Sequence, residues 1–347
     1  MKAFGIVLAL VALLFSTSGS AKENATEPAD EGARLYEAGQ YDEALAYYEG
    51  ALEKDPNDVM ATVYMGRIAM ANKDFQGATE WMDKAVALAP DSSNVHYWSA
   101  IAYVTKLQNT QDFTQMQMLV DKVRSHIDKA VELDPANVDA RLFLAGFYMN
   151  APPIAGGSME KAKEQAELLL EYDEFRGQLF MAELHKKEKN FKEAEEAYVA
   201  AAGIDPENSD PYYQMGMMYQ STKEYDKAFE SLEKAIEIDP DAYGALYQIG
   251  RTGVLSENNL DRAIECLQLY LAREPDSGMP TWANARWRLG MLYELKGDDG
   301  SARRQYETAL ELNPDDENAR KSLDDLNAKG QEETQGAEEK KAPDTKD

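Results

Sequence analysis

The stretch that decides the fold runs from residue 209 to residue 242 and reads SDPYYQMGMMYQSTKEYDKAFESLEKAIEIDPDA. It divides into two segments with apolar residues at helical spacing, joined by a short polar link. Gly216 lies among large residues in the first segment, and Ala228 and Ala235 do so in the second. Small residues at these places let two helices approach closely, and Pro240 cannot continue a helix. The stretch therefore predicts an antiparallel helical hairpin that ends at Pro240.

Copies of the second segment recur along the chain. Pro56 and Pro90 are 34 residues apart, and so are Pro206 and Pro240. A hairpin that repeats at a fixed period leaves one apolar side for the next hairpin to cover, as in a repeat solenoid. The matching residues are Ala44, Tyr48, Ala51 and Pro56; Ala78, Met82, Ala85 and Pro90; Ala194, Tyr198, Ala201 and Pro206; and Ala302, Tyr306, Ala309 and Pro314.

This pattern resembles the tetratricopeptide repeat. The resemblance covers residues 29–328, which are nearly all of the chain after residue 21. The resemblance implies an all-α fold, a right-handed α-solenoid or superhelix of about eight helical hairpins plus a C-terminal capping helix. In that family the first helices line the concave side. The expected hairpins are 29–58, 59–92, 93–137, 138–174, 175–208, 209–242, 243–278 and 281–315, with the capping helix at 316–328.

Three of these hairpins are irregular. The seventh contains Gly250, Arg251 and Gly253, followed by Glu257-Asn258-Asn259. The third has about eleven extra residues, and the apolar spacing over 112–133 predicts a longer second helix there. The fourth carries Ala-Pro-Pro-Ile-Ala-Gly-Gly-Ser at 151–158, which we interpret as a turn in which Ser158 caps the next helix. A phosphate-binding loop is the weaker reading, since no Lys-Ser or Lys-Thr pair follows the glycines. The stretch also resembles a loop of exported bacterial proteins that contain these repeats.

The two ends of the chain have compositions unlike the repeats. Residues 1–21 contain Lys2, an apolar run from Phe4 to Phe15 and small residues up to Ala21, which is the pattern of a cleavable signal peptide. The run is too short to span a bilayer. We therefore expect a soluble periplasmic or secreted protein, with a disordered linker at 22–28 and a disordered acidic tail at 329–347.

Composition excludes several classes of function. The chain has 63 acidic and 36 basic side chains and a formal net charge of -27, so it lacks the basic surface that nucleic acid requires. A single cysteine, Cys266, cannot form an intramolecular disulfide, and three scattered histidines provide no metal or catalytic set. We expect no catalytic residue, no metal and no cofactor, and no stable membrane insertion after signal cleavage.

The candidate site is the groove formed by the first helices. When the packing residues of each first helix face the core, aromatic, methionine and arginine side chains lie on the groove side. These residue types are enriched at the centres of protein interfaces. The alternative for each of them is packing between neighbouring repeats. The predicted partner-binding residues are Val63, Arg67, Met70, Tyr97, Ile101, Met149, Tyr213, Met217, Tyr247, Arg251, Trp287 and Met291.

One subfamily of these repeats clamps the C-terminal carboxylate of a peptide with lysine and asparagine. Here Val63, Arg67, Tyr97 and Ile101 occupy the comparable places, so that clamp is not expected. Our main hypothesis is a non-enzymatic scaffold that binds protein or peptide partners in the groove, within an envelope assembly. The alternative is a component of a polysaccharide or protein export machine that contacts carbohydrate or an outer-membrane pore. An enzyme that uses the loops at 151–158 and 250–259 is a third, weaker hypothesis.

Overall fold

The computed structural model describes residues 30–275 and 278–339. These residues form seventeen α-helices and no β-strand, which confirms the predicted all-α repeat fold. The predicted signal peptide and linker, and the last eight residues of the predicted tail, lie outside the described residues. None of the described helices is both long enough and apolar enough to cross a bilayer.

The helices belong to two compact units, one ending at Glu188 and the other beginning at Lys189. The N-terminal unit contains α1 (Glu31–Glu37), α2 (Tyr41–Lys54), α3 (Val59–Ala71), α4 (Phe75–Leu88), α5 (Ser93–Asn109), α6 (Phe113–Leu133), α7 (Val138–Asn150), α8 (Met159–Tyr172) and α9 (Glu174–Lys187). The C-terminal unit contains α10 (Phe191–Ile204), α11 (Asp210–Thr222), α12 (Tyr225–Ile238), α13 (Tyr243–Ser256), α14 (Leu260–Leu271), α15 (Trp282–Leu295), α16 (Asp299–Leu312) and α17 (Glu317–Glu339). Every predicted hairpin segment contains two helices.

Proline lies two residues after the last residue of α2, α4, α6, α10, α12 and α16, as the sequence predicts. The residue before each proline is extended, for example Asp55 with φ -135° and ψ 98°, and Asp239 with φ -126° and ψ 98°. Clash with the proline ring disfavours helical geometry at that position. At the start of the next helix a polar side chain accepts a backbone N–H, as when Asp58 Oδ1 accepts from the amide of Ala61 at 2.9 Å. Helix ends are therefore set locally.

Glycine in the first helix makes the hairpins close-packed. A Cβ atom on Gly216 would lie 2.6 Å from Cγ of Leu232 on the paired helix, and one on Gly250 would overlap the side chain of Leu267. Both leucines are fully buried. The small-large pairing read from the sequence is thus the contact that closes these two hairpins.

The third and fourth hairpins have the irregular features that the sequence predicts. Helix α6 has 21 residues, against the 14 of most second helices. The loop after α7 forms a short 3-10 turn at Pro153–Ala155, Gly156 has a left-handed φ of 93°, and Ser158 accepts from the amide of Lys161 at 3.2 Å. The segment is therefore a turn and a helix cap, as interpreted from the sequence.

The C-terminal helix is longer than expected. Helix α17 packs on α16 and α15 through Ala319 and Leu326, which are buried, so it covers the last hairpin. It continues to Glu339, whereas the sequence reading ended the capping helix at 328 and began a disordered tail at 329. Glutamate, glutamine, lysine and alanine, which dominate this stretch, are strong helix formers, and an acidic composition alone does not exclude a helix.

Candidate protein-binding surface

The first helices of the C-terminal unit form one layer. Helix α11 contacts α13, and α13 contacts α15, while α12, α14 and α16 lie on the other side as the second helices of each hairpin. The first helices thus pack directly on one another, and their side of this unit is the one that the repeat resemblance predicts to be concave. We call it the inner surface of the C-terminal unit.

In the N-terminal unit the structure buries most of the predicted groove residues. Val63, Arg67, Tyr97 and Met149 have only 6%, 8%, 7% and 9% of their surface exposed. The sequence placed them on the groove, but α3, α5 and α7 are apolar on nearly all sides. Helix α3, for example, is buried at eight consecutive residues, Ala61–Ile68. The helical period identifies a face but does not show how much neighbouring helices cover it.

The other predicted residues of that unit are partly covered. Met70 packs against the cluster around Val63, Ala78 and Met82, and Ile101 packs against the large cluster that contains Tyr97. For this unit the alternative reading, packing between repeats, describes the observed contacts better than an open groove.

Arg67 has a structural role in this packing. Its guanidinium carbon lies 4.6 Å from the ring centroid of Tyr36, 4.4 Å from that of Tyr64 and 4.0 Å from that of Trp98. These rings come from α1, α3 and α5, so one cation-π cluster joins three first helices. Burial raises the pKa of the Tyr36 hydroxyl, while Arg67 opposes that shift.

In the C-terminal unit a buried polar network joins α11 to α13. The Nε2 atom of Gln220 donates to Thr252 Oγ1 at 2.7 Å and to the backbone oxygen of Gln248 at 3.0 Å. Its Oε1 atom accepts from Arg251 Nη1 at 2.6 Å. Gln220 is 5% exposed and Thr252 is fully buried. The network therefore fixes the position of the Arg251 side chain, which is itself only partly buried.

Two predicted groove residues lie beside this network. Tyr213 is partly buried and packs against the core of the unit. Burial raises the pKa of its hydroxyl, while a hydrogen bond with the Gln248 side chain and the charge of Arg251 oppose that shift. Met217 lies one turn later on α11 and is also partly exposed. Both keep surface on the inner side.

A second arginine lies on the next first helix. Arg288 Nε donates to the hydroxyl of Tyr247 at 2.7 Å, and its guanidinium lies 5.4 Å from the ring centroid of Tyr247 and 5.1 Å from that of Trp287. Tyr247 is 5% exposed, so it contributes little surface of its own and instead holds Arg288. The sequence reading placed Tyr247 on the groove and did not include Arg288.

Trp287 and Met291 are covered in part by the C-terminal helix. The indole Nε1 of Trp287 donates to Ser322 Oγ at 3.0 Å, and both side chains pack against the cluster that contains Tyr306 and Leu326. Their partial burial therefore reflects the packing of α17 on α15.

Sequence reasoning included Tyr247, which holds Arg288, but missed the amide network around Arg251. Gln220 lies three residues after Met217, and Gln248 lies three residues before Arg251, so helical spacing alone could have placed them near the groove. Polar residues on a buried helix face were the available signal, because a buried amide must find partners.

The cysteine and two of the histidines are buried. No group of three or more His, Cys, Asp or Glu side chains within the described residues could hold a metal ion. Cys266 is fully buried, and burial raises the pKa of its thiol to about 12. His96 and His126 face each other, with 3.1 Å between their Nδ1 atoms, in the interior of the N-terminal unit.

Comparisons with known proteins agree with this architecture. Sequence models described as tetratricopeptide repeat match residues 30–93, 175–208, 209–242 and 283–316. The chain belongs to the tetratricopeptide repeat family. Membership supports, in general terms, a protein-protein interaction scaffold whose partners are proteins or peptides. No curated protein matches the sequence.

Solved structures with the same repeats resemble this tetratricopeptide repeat protein. A chain of the APC/C hetero-tetramer Cut9-Hcn1 has a TM-score of 0.50 and 16% identity, and the match covers 85% of this chain. This chain spans 54% of that one, about half its length. YrrB, described as a TPR protein with an unusual peptide-binding site, has a TM-score of 0.37 and 21% identity and covers 57% of this chain and 95% of its own. PilF of Pseudomonas aeruginosa has a TM-score of 0.47 and 16% identity, and the match covers 68% of this chain and 97% of PilF.

Proposed function

We propose that this tetratricopeptide repeat protein is a non-enzymatic scaffold that binds segments of partner proteins on the inner surface of its C-terminal unit. The observation that carries the proposal is the arrangement of Arg251 and Arg288. Buried polar partners hold both side chains, and Arg251 is bonded to α11, which carries the partly exposed Tyr213 and Met217. Fixed cations beside apolar groups lose little conformational entropy when a partner binds.

The N-terminal unit is the weaker candidate. Its predicted groove residues Val63, Tyr97 and Met149 are buried, and Arg67 is enclosed by three aromatic rings. A side chain that is already covered within its own unit can contribute little to an interface. We therefore assign partner binding to the C-terminal unit.

A quantitative pull-down from an extract of the native host tests this proposal. The full chain is compared with a Tyr213→Ala/Met217→Ala variant and with a matched Val199→Ala/Leu269→Ala control. Val199 and Leu269 are exposed apolar residues on the second helices α10 and α14. We expect the inner-surface variant to lose most of the recovered partner and the control to keep it, and thermal unfolding checks that all three proteins are folded. Equal recovery by all three proteins would show that this surface is not the binding site.

We further propose that the protein acts in an envelope assembly after export. The support is the signal-like sequence of residues 1–21, with its apolar run and small residues up to Ala21. Cell fractionation followed by N-terminal sequencing tests it, and we expect a periplasmic or secreted protein that begins at Lys22. A cytoplasmic protein that retains Met1 would contradict it. Recovery of a polysaccharide synthase or an outer-membrane pore as the partner would instead favour the export-machine role.

A further inference from the structure

The charge on the inner surface of the C-terminal unit differs from that of the whole chain. The chain carries a net charge of -27, and the clearest ion pairs involve cations elsewhere, such as Arg262 on α14, which bonds Glu233 at 2.7 Å and Glu265 at 2.8 Å. Arg251 and Arg288 on the inner surface have neutral acceptors, Gln220 and the hydroxyl of Tyr247. Neither arginine forms an ion pair with a carboxylate among the residues that the structure describes.

Both guanidinium groups keep donors for an additional acceptor. A guanidinium has five N–H donors in a planar fork, and Arg251 uses Nη1 while Arg288 uses Nε in the contacts described. A carboxylate is the acceptor that this fork fits best, because two parallel charge-assisted hydrogen bonds can form.

Tyr247 on α13 links the helices of the two arginines. Tyr247 lies one helical turn before Arg251 on α13, and its hydroxyl accepts from Arg288 on α15. Burial raises the pKa of Tyr213 on α11; the charge of Asp210 acts in the same direction and that of Arg251 opposes it. The acidic residues on these three first helices are Asp210, at the start of α11, and Glu294 on α15, which accepts from the hydroxyl of Tyr306 at 2.8 Å.

We propose that the inner surface of the C-terminal unit selects partner segments that carry an aspartate or glutamate side chain next to an apolar one. In this assignment Arg251 and Arg288 bind the carboxylate, and Tyr213 and Met217 contact the apolar side chain. The inference rests on the proposed scaffold function and adds the chemistry of the partner. It also explains why two arginines of a strongly acidic protein are held by neutral groups.

Selection from a phage library of random dodecapeptides tests the inference. The full chain is compared with an Arg251→Gln/Arg288→Gln variant and with an Arg286→Gln/Arg303→Gln control. The control removes the same charge, and its arginines likewise bond amide oxygens, those of Gln305 and Asn327. Thermal unfolding of all three proteins checks that each is folded.

We expect peptides selected on the full chain and on the control to be enriched in aspartate and glutamate, and peptides selected on the Arg251→Gln/Arg288→Gln variant to lose that enrichment. For the best acidic peptide, anisotropy should show at least about tenfold weaker binding to that variant, and equally weaker binding when the peptide carries glutamine in place of its acidic residue. Selected peptides without acidic enrichment would overturn this inference and leave the scaffold function standing. Failure to select any peptide on the full chain would overturn both.

Discussion

The Nη1 atom of Arg251 donates to the Oε1 atom of Gln220 at 2.6 Å and joins α13 to α11. The orientation of the Gln220 amide is determined, because its nitrogen donates to Thr252 and to the backbone of Gln248. The oxygen must then face Arg251. One buried amide thereby links two first helices and positions a cation on the inner surface.

Replacement of Gln220 by alanine should destabilise the C-terminal unit. The change leaves Arg251 and the buried Thr252 without this partner, and such losses cost about 1–3 kcal/mol. Gln305→Ala is the matched control, since Gln305 is partly exposed and bonds only Arg286; we expect about 0.5 kcal/mol or less for it. Urea unfolding measures both. Equal losses for the two variants would contradict a special role for the network.

Two glycine substitutions in this unit should change the stability of the protein in opposite directions. Gly250→Ala places a Cβ atom against the buried Leu267 and should cost about 1–3 kcal/mol through overpacking. A Cβ atom on Gly203, near the end of α10, would have no neighbouring atom within 4 Å. Gly203→Ala should therefore stabilise the folded protein by up to about 1 kcal/mol. Thermal unfolding compares them, and a stabilising Gly250→Ala would show that the hairpin contact is looser than described.

The N-terminal unit should lose stability in mild acid. His96 Nε2 donates to the backbone oxygen of Pro90 at 2.8 Å, so its neutral Nδ1 accepts from His126. Burial lowers the pKa of His126 to about 4; a positive charge on His96 or Lys122 acts in the same direction, while Asp83 opposes it. Tyr103 stacks on the His126 ring at 5.5 Å and donates to Asp83.

The direction of this pH dependence follows because the folded state favours the neutral form of His126. The unfolded chain binds a proton at about pH 6.5, whereas folded His126 binds one only near pH 4. The stabilisation is thus present above about pH 6.5 and is lost as the pH falls towards 4, by at most about 3 kcal/mol. Unfolding free energies of the wild type and His126→Gln measure it. A variant with an unchanged slope between these pH values would refute the assignment.

The thiol of Cys266 should not react while the protein is folded. It is fully buried, and burial raises its pKa to about 12, so almost no thiolate forms at neutral pH. An aromatic disulfide reagent should label it only at the rate at which the C-terminal unit opens, and labelling should become fast in denaturant. Fast labelling without denaturant would mean that α14 is not stably packed.

The hairpins could be predicted from sequence because their determinants are local. Proline fixes where α12 ends, and the spacing of Gly216, Ala228 and Ala235 fixes which sides of α11 and α12 meet. The end of α17 could not be predicted in this way, because the same residues are compatible with helix and with disorder.

The site was predictable only in part. Tyr97, Tyr213 and Trp287 have equivalent places in their repeats, yet Tyr97 is buried while the other two are only partly covered. The difference arises from what packs beside each helix, such as the long α6 in the third hairpin and α17 near Trp287. The amide of Gln220, which positions Arg251, has no sequence motif of its own.

Site-specific photo-crosslinking in the native host tests the central claim most directly. A photoreactive phenylalanine analogue is placed at Met217 on the inner surface or at Leu269 on α14, where the side chain is 48% exposed. We predict a crosslinked partner protein from position 217, lost in the Arg251→Gln/Arg288→Gln background, and none from position 269. Crosslinks of equal yield from both positions, or crosslinks only from position 269, would contradict partner binding on the inner surface.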